Sequence, residues 1–228
     1  MTHPLLIALD GPVSAGKSSL ADAVARRFGI LHLDTGAMYR AIGLAALRQG
    51  IDPADEQAVS GLLAADRVQV DVRFVDGHQQ TLLDGQPVDD QLRSQQVGSA
   101  ASTVSRYGPV RRYLVARQQA IARQQSMIID GRDIGTVVLP DARAKVFLTA
   151  SPEVRARRRY EQIRATDAAA TYEDVLKELI ARDKQDRERP LDPWRQAEDA
   201  VLLDTTALDF NQSVDAIVRI VEAAYGQR

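Results

Sequence analysis

The chain is constrained most by Gly11-Pro12-Val13-Ser14-Ala15-Gly16-Lys17-Ser18, which fits G-x-x-x-x-G-K-[ST] without a mismatch. That pattern has a mechanism only between a strand and a helix, and it stands in such a place. Leu5-Leu6-Ile7-Ala8-Leu9 is a continuous apolar run ended by Asp10-Gly11-Pro12, the profile of a buried parallel strand entering a turn. From Lys17 to about Phe28, the apolar residues Leu20, Ala23, Val24 and Phe28 recur at helical spacing, and Gly29 closes the segment. Gly11 and Gly16 are expected to let the backbone curl, so that its N–H groups converge on phosphate oxygens where a Cβ would obstruct. The helix behind the loop turns its positive end toward the same anion. Lys17 reaches β- and γ-phosphates, and the Ser18 hydroxyl suits Mg²⁺. A nucleoside triphosphate is therefore expected on Gly11, Pro12, Val13, Ser14, Ala15, Gly16, Lys17, Ser18 and Ser19.

The rest of the chain predicts an α/β fold. Leu31 to Leu33 reads as a second strand and Met38 to about Arg48 as a second helix ended by Gly50; this alternation predicts a parallel sheet covered by helices. The pattern then changes. Val68, Val70, Val72 and Phe74 alternate, Asp76-Gly77 supplies a hairpin turn, and Thr81 to Leu83 resumes before Asp84-Gly85. We read an antiparallel insertion over 67–99 within a core formed by 1–66 and 100–228. Helical sequence runs from about Asp90 to Ser105, breaks at Gly108-Pro109 and continues to about Gln124. Met127 to Ile129, Lys145 to Leu148 and Val201 to Leu203 are further strands, and Phe210 to Tyr225 has the spacing of a closing helix. With 228 residues, 45% of them hydrophobic, one domain carrying an insertion fits better than two independent cores.

Composition removes several function classes. The absence of Cys excludes disulfides, thiolate metal sites and a Cys nucleophile. A net charge of −2 gives no argument for nucleic-acid binding. No apolar run approaches the roughly 20 residues of a membrane span, and no signal peptide precedes the first strand; a cytoplasmic protein is expected.

Polar clusters mark where a second substrate would bind. Asp34-Thr35-Gly36-Ala37-Met38-Tyr39-Arg40 follows the second strand, with Thr35 placed to cap the next helix. Asp130 follows the apolar Ile128-Ile129, where P-loop proteins keep a carboxylate near Mg²⁺. Ligands of such sheets bind at the carboxyl ends of strands, so these loops are expected to converge on one crevice. Arg155, Arg157, Arg158 and Arg159 cluster, and Arg182, Arg187, Arg189 and Arg195 follow; solvated helix faces and a local anion site both fit. Arg155 and Arg159 share a helix face.

With these residues in view, the sequence resembles the bacterial cytidylate kinase family of nucleoside monophosphate kinases. The resemblance is carried by Asp10-Gly11-Pro12 leading the phosphate loop, by Leu33 to Arg40, and by Asp130-Gly131-Arg132-Asp133-Ile134-Gly135-Thr136-Val137-Val138-Leu139-Pro140-Asp141-Ala142. Arg182-Asp183 with Asp186, Arg189 and Pro190-Leu191 is similar to a later motif. The resemblance implies a P-loop NTPase-type parallel sheet flanked by helices, with a small antiparallel β insertion and a short lid over about 152–172. It implies transfer of the γ-phosphoryl of ATP to CMP or dCMP with Mg²⁺, by a monomer. Thr35, Arg40, Arg132 and Arg189 would hold the CMP phosphate. Ser102, Arg111 and Asp133 would face cytosine, and Asp186 the ribose, together with Arg182. Arg155 and Arg159 would close on ATP, while Ser18 and Asp130 would hold Mg²⁺ partly through water. Charge stabilisation would fall to Lys17, Arg132, Arg189 and Arg159. CMP's phosphate is already ionised near neutrality, so no general base is needed, in keeping with only three His. Asp192-Pro193-Trp194 departs from the family's usual run after Pro-Leu. A kinase for another metabolite, an NTPase switch and a non-catalytic nucleotide-binding module are the rival classes.

Overall fold

In the computed structural model, which describes residues 4–64, 67–165 and 169–226, the apolar runs become strands of a parallel sheet. In chain order the elements are β1 (Leu6–Asp10), α1 (Lys17–Phe28), β2 (Leu31–Asp34), α2 (Thr35–Arg48), α3 (Glu56–Ala64), β3 (Val70–Val75), β4 (His78–Leu83), β5 (Gln86–Pro87), α4 (Gln95–Val104), α5 (Gly108–Ala122), β6 (Met127–Gly131), β7 (Ala144–Thr149), α6 (Pro152–Ile163), α7 (Tyr172–Glu188), β8 (Val201–Asp204) and α8 (Phe210–Tyr225). The five-stranded sheet has the order β2-β6-β1-β7-β8. β1 is central and buried, with Ile7, Ala8 and Leu9 fully inaccessible, which is why its sequence runs apolar on both faces. β7 pairs parallel to β1 and β8 parallel to β7. Among the described residues no helix is long and apolar enough to cross a membrane.

The insertion hairpin follows its turn chemistry. Asp76-Gly77 has φ of 51° and 79°, and Asp84-Gly85 has 52° and 77°, the paired positive values of a type I′ turn. The second turn starts a strand that sequence reading passed over, β5. It is two residues long and pairs with β4, too short to show a period.

Two local expectations need correction, and a third residue gains a further constraint. Thr35 does not cap α2; Asp34 does, its Oδ1 accepting the Ala37 N–H at 3.1 Å, and Thr35 is the first helical residue, so α2 starts three residues before Met38. Gly108-Pro109 is not the break in the helical stretch but the start of α5, while α4 ends at Val104, because proline suits a first turn that lacks N–H acceptors. Gly11 carries a constraint beside the expected phosphate approach: a Cβ there would lie 2.4 Å from the Leu148 carbonyl oxygen on β7.

The chain packs as two compact units. One comprises Met1–Pro4 and Ile30–Met127, so the hairpin shares a body with α2 to α5. The other comprises Leu5–Gly29 and Ile128–Arg228 and contains the phosphate loop.

Candidate active site

In the second unit the phosphate loop has the backbone of an anion cradle. Ser14 and Gly16 are left-handed, with φ of 59° and 90°, and this turns successive N–H groups inward. Helix α1 starts without a side-chain cap and without an acidic residue in its first turn, so its N-terminal N–H groups remain for a ligand. Lys17 is buried, and its Nζ donates to the Pro12 carbonyl at 2.9 Å. Burial pulls its pKa down to about 7, aided by the Arg132 charge and opposed by Asp130, Asp10 and Asp186.

The loops after β1 and β6 meet here. Ser18 Oγ donates to Asp130 Oδ2 at 3.1 Å, joining a hydroxyl and a buried carboxylate, both hard oxygen donors suited to a divalent cation. Among the described residues no group of three or more His, Cys, Asp or Glu forms a metal cage. A pair that leaves most positions to phosphates and water is what a Mg²⁺ site of this kind needs. Beyond Asp130, Arg132 Nε donates to Asp186 Oδ2 at 2.9 Å. Arg189 donates from Nε to the Asp192 carbonyl at 2.6 Å, and its Nη2 lies 3.3 Å from Asp133 Oδ1. That last approach is an ion pair without hydrogen-bond alignment, so Arg189 Nη2 is a buried donor left unsatisfied. A buried, unmatched guanidinium N–H is suited to an arriving phosphate.

Sequence reading gave Asp10 no role, yet it joins the two loops. It is 4% exposed and its two carboxylate oxygens accept the N–H groups of Ile134 and Gly135, each at 2.7 Å. Burial nevertheless pushes its pKa up to about 6, against those two bonds. The one available signal was a charged residue terminating an apolar strand.

The arginine cluster of α6 separates into distinct roles. Arg155 is buried rather than poised. It donates to the Ala150 carbonyl at 2.9 Å, to the Val13 carbonyl at 3.0 Å and to Asp183 Oδ2 at 2.7 Å. Asp183 already neutralises its charge, so of the two arginines expected to close on ATP this one is engaged within the protein. Arg157 lies over the Tyr172 ring at 4.8 Å, and Arg158 donates to the Thr205 carbonyl at 3.0 Å. Arg159 is exposed and, among the described residues, lacks such a partner, which leaves it the member of the cluster available to a triphosphate. The expected lid over about 152–172 comprises α6, the start of α7 and a connection whose residues 166–168 lie outside the described residues. Arg182, Asp183 and Asp186 all lie on α7.

The first unit holds the remaining predicted residues on two packed helices and a third. Thr35 and Arg40 lie on α2 and Ser102 on α4. A Cβ at Gly43 would come within 2.9 Å of the Ala101 nitrogen, so the bare glycine is what lets α2 and α4 approach. Arg111 on α5 is 1% exposed, with its guanidinium 5.9 Å from the Tyr39 ring centroid, whereas Arg112 is exposed. Sequence reading missed Gln79. From β4 its Oε1 accepts the Asp34 N–H at 2.7 Å and its Nε2 donates to the Asp34 carbonyl at 3.2 Å. The insertion thereby holds the residue that caps α2.

With this geometry in place, known proteins can be set beside the chain. The family model described as Cytidylate kinase matches residues 7–223. A cytidylate kinase of Bacillus velezensis is 42% identical over 222 residues, covering 97% of this chain and 98% of its own. One of Pseudomonas aeruginosa is 43% identical over 221 residues, covering 95% of each. The solved structure of an uncharacterized protein from Eubacterium ventriosum superposes with a TM-score of 0.52 at 11% identity, over 96% of this chain and 99% of that one; this likeness concerns the fold alone.

Proposed function

This chain belongs to the cytidylate kinase family, and on that premise we propose that it transfers the γ-phosphoryl of ATP to CMP or dCMP, with Mg²⁺, giving ADP and CDP or dCDP. The observation that carries the reading is the grouping of Lys17, the Ser18–Asp130 pair, Arg132 and the unsatisfied Arg189 donor around an uncapped phosphate loop. Such an arrangement does no covalent work. It positions two phosphates and spreads the charge that grows between them.

Backbone N–H groups of 13–19 bind the triphosphate, and Lys17 exchanges its bond to the Pro12 carbonyl for phosphate oxygens. Mg²⁺ held by Ser18 and Asp130, partly through water, would neutralise charge on the β- and γ-phosphates. Arg132 and Arg189 turn from Asp186 and Asp133 toward the CMP phosphate, joined by Thr35 and Arg40. Arg159 closes on ATP and excludes water, which would otherwise take the phosphoryl group. Asp133 accepts the cytosine amino group, with Ser102 and Arg111 on the same base. Asp186 and Arg182 take the ribose. The Asp133 carboxylate would meet a carbonyl oxygen in UMP where CMP offers an amino group, so discrimination combines attraction with repulsion.

A coupled assay with ATP and a panel of nucleoside monophosphates tests the reading. CMP and dCMP are expected to lead UMP by about two to three decades in kcat/KM. Asp133→Ala is expected to narrow the CMP-to-UMP ratio. A different monophosphate as the best acceptor overturns the reading, and an unchanged ratio leaves Asp133 as only the partner of Arg189.

A further inference from the structure

We propose that Asp10 is a positioning residue for phosphoryl transfer, tying the loop that carries Arg132 and Asp133 to the strand that launches the phosphate loop. Asp10 is the last residue of β1, and Gly11 opens the phosphate loop next to it. Its carboxylate accepts two consecutive amides, Ile134 and Gly135, both at 2.7 Å. Those amides begin a single π-helical turn, Ile134–Val138, directly after Arg132 and Asp133. A shift of the turn is therefore a shift of both side chains. Beyond that turn, Arg132 pairs with Asp186 and donates to the Gly131 carbonyl, and Asp133 pairs with Arg189, so part of the support of each comes from long side chains on or next to α7.

A packing role would not call for this residue. A buried carboxylate is expensive to desolvate, and an apolar side chain of similar volume would fill the same space without that penalty. What the carboxylate alone provides is two acceptors at fixed spacing on one rigid plane. Asparagine has the same shape, but its amide places N–H against one of the two backbone N–H groups. The charge sits on the β1 side and the reacting arginine on the β6 side, so the bond pair sets the distance between Lys17 and Arg132. Misplacement by about 1 Å in such a site can lower turnover by about a hundredfold.

The inference rests on the proposed CMP site, and the test separates the two. In Asp10→Asn, kcat/KM for CMP is expected to fall by about one to two decades, while affinity for a non-hydrolysable ATP analogue stays within about twofold, because the 11–19 loop is intact. Hydrogen exchange of the Ile134 and Gly135 amides is expected to accelerate, with amides of β7 unchanged. Wild-type CMP kinetics in Asp10→Asn overturn the proposal. So does an equal loss of CMP and ATP binding accompanied by faster exchange throughout the sheet, which would mark plain destabilisation. If the wild-type enzyme prefers another acceptor, the substrate reading fails, and the same kinetic split measured on that acceptor still decides the role of Asp10.

Discussion

The unit containing the phosphate loop crowds its polar chemistry into buried charge: Lys17, Asp10 and Asp130, and the pairs Arg132–Asp186, Arg189–Asp133 and Arg155–Asp183. The unit from Ile30 to Met127 relies more on bonds to backbone and amide groups, with its Arg117–Asp71 pair partly exposed and Arg111 buried. Asp34 is fixed by Gln79, Thr35 sits in the first turn of α2, and Arg111 rests near Tyr39. The difference follows from what each proposed role demands. A triphosphate brings several negative charges at once, and cations already largely desolvated nearby need only exchange protein partners, rather than shed water, when it arrives. A single nucleotide with one phosphate and a base asks more of shape and hydrogen-bond pattern than of summed charge. If this contrast is right, changes in the charged unit alter chemistry and stability strongly, whereas changes in the other unit alter acceptor binding mildly.

The largest effect is expected at Lys17. Lys17→Ala should lower kcat by about two to three decades, equivalent to about 3–4 kcal/mol. Its melting temperature should not fall, since a buried ammonium is removed. Near-normal turnover in a folded variant would break the contrast at its centre.

Arg155→Ala comes next and reads stability first. It strands Asp183 in a site where the pair is almost fully buried, which should cost about 3–5 kcal/mol and lower the melting temperature by about 10 °C. Arg155→Lys keeps the charge but not the three-way geometry, and should fall between. If Arg155→Ala melts like wild type while losing only ATP affinity, Arg155 is a lid residue after all.

Gln79→Ala sharpens the other side. Losing both bonds to Asp34 should weaken the α2 cap by about 1 kcal/mol. KM for CMP should rise about fivefold, with kcat and KM for ATP nearly unchanged. A large fall in kcat would show that this unit also carries chemistry.

The smallest effect is a proton. With its pKa lowered to about 7, Lys17 is mostly neutral at pH 8 in the absence of nucleotide. Triphosphate raises that pKa, because the charged form gains a partner. Binding should therefore take up a fraction of a proton at pH 8, and affinity should decline as pH rises above 7. Calorimetry in buffers of different ionisation enthalpy measures it, and Lys17→Met should abolish it. Proton release would have the wrong sign and would mean that Lys17 is charged before nucleotide binds.

Much of this molecule was legible in advance where signals are local. The glycine-rich loop after β1, the β1 and β6 strands, the Asp76-Gly77 turn and α8 from Phe210 to Tyr225 follow from apolar period, glycine placement and turn residues within a few positions. The illegible parts depend on partners far along the chain. Asp34 and Thr35 are equally good cap residues by type, and only the backbone entering α2 selected Asp34. Arg155 and Arg159 share a helix face, but only packing against α7 buried one and left the other exposed.

By itself, then, the sequence determined the fold class, the glycine-rich turn from β1 into α1 and the family, because each is written in residues adjacent along the chain. Tertiary structure alone decided that Gly11 answers to Leu148, that Asp10 holds Ile134 and Gly135, that Gln79 holds Asp34 and that Arg155 serves Asp183. Those pairings span up to 137 positions of chain, as between 11 and 148. A buried donor or acceptor can be matched only by whatever group the completed fold brings within hydrogen-bond distance.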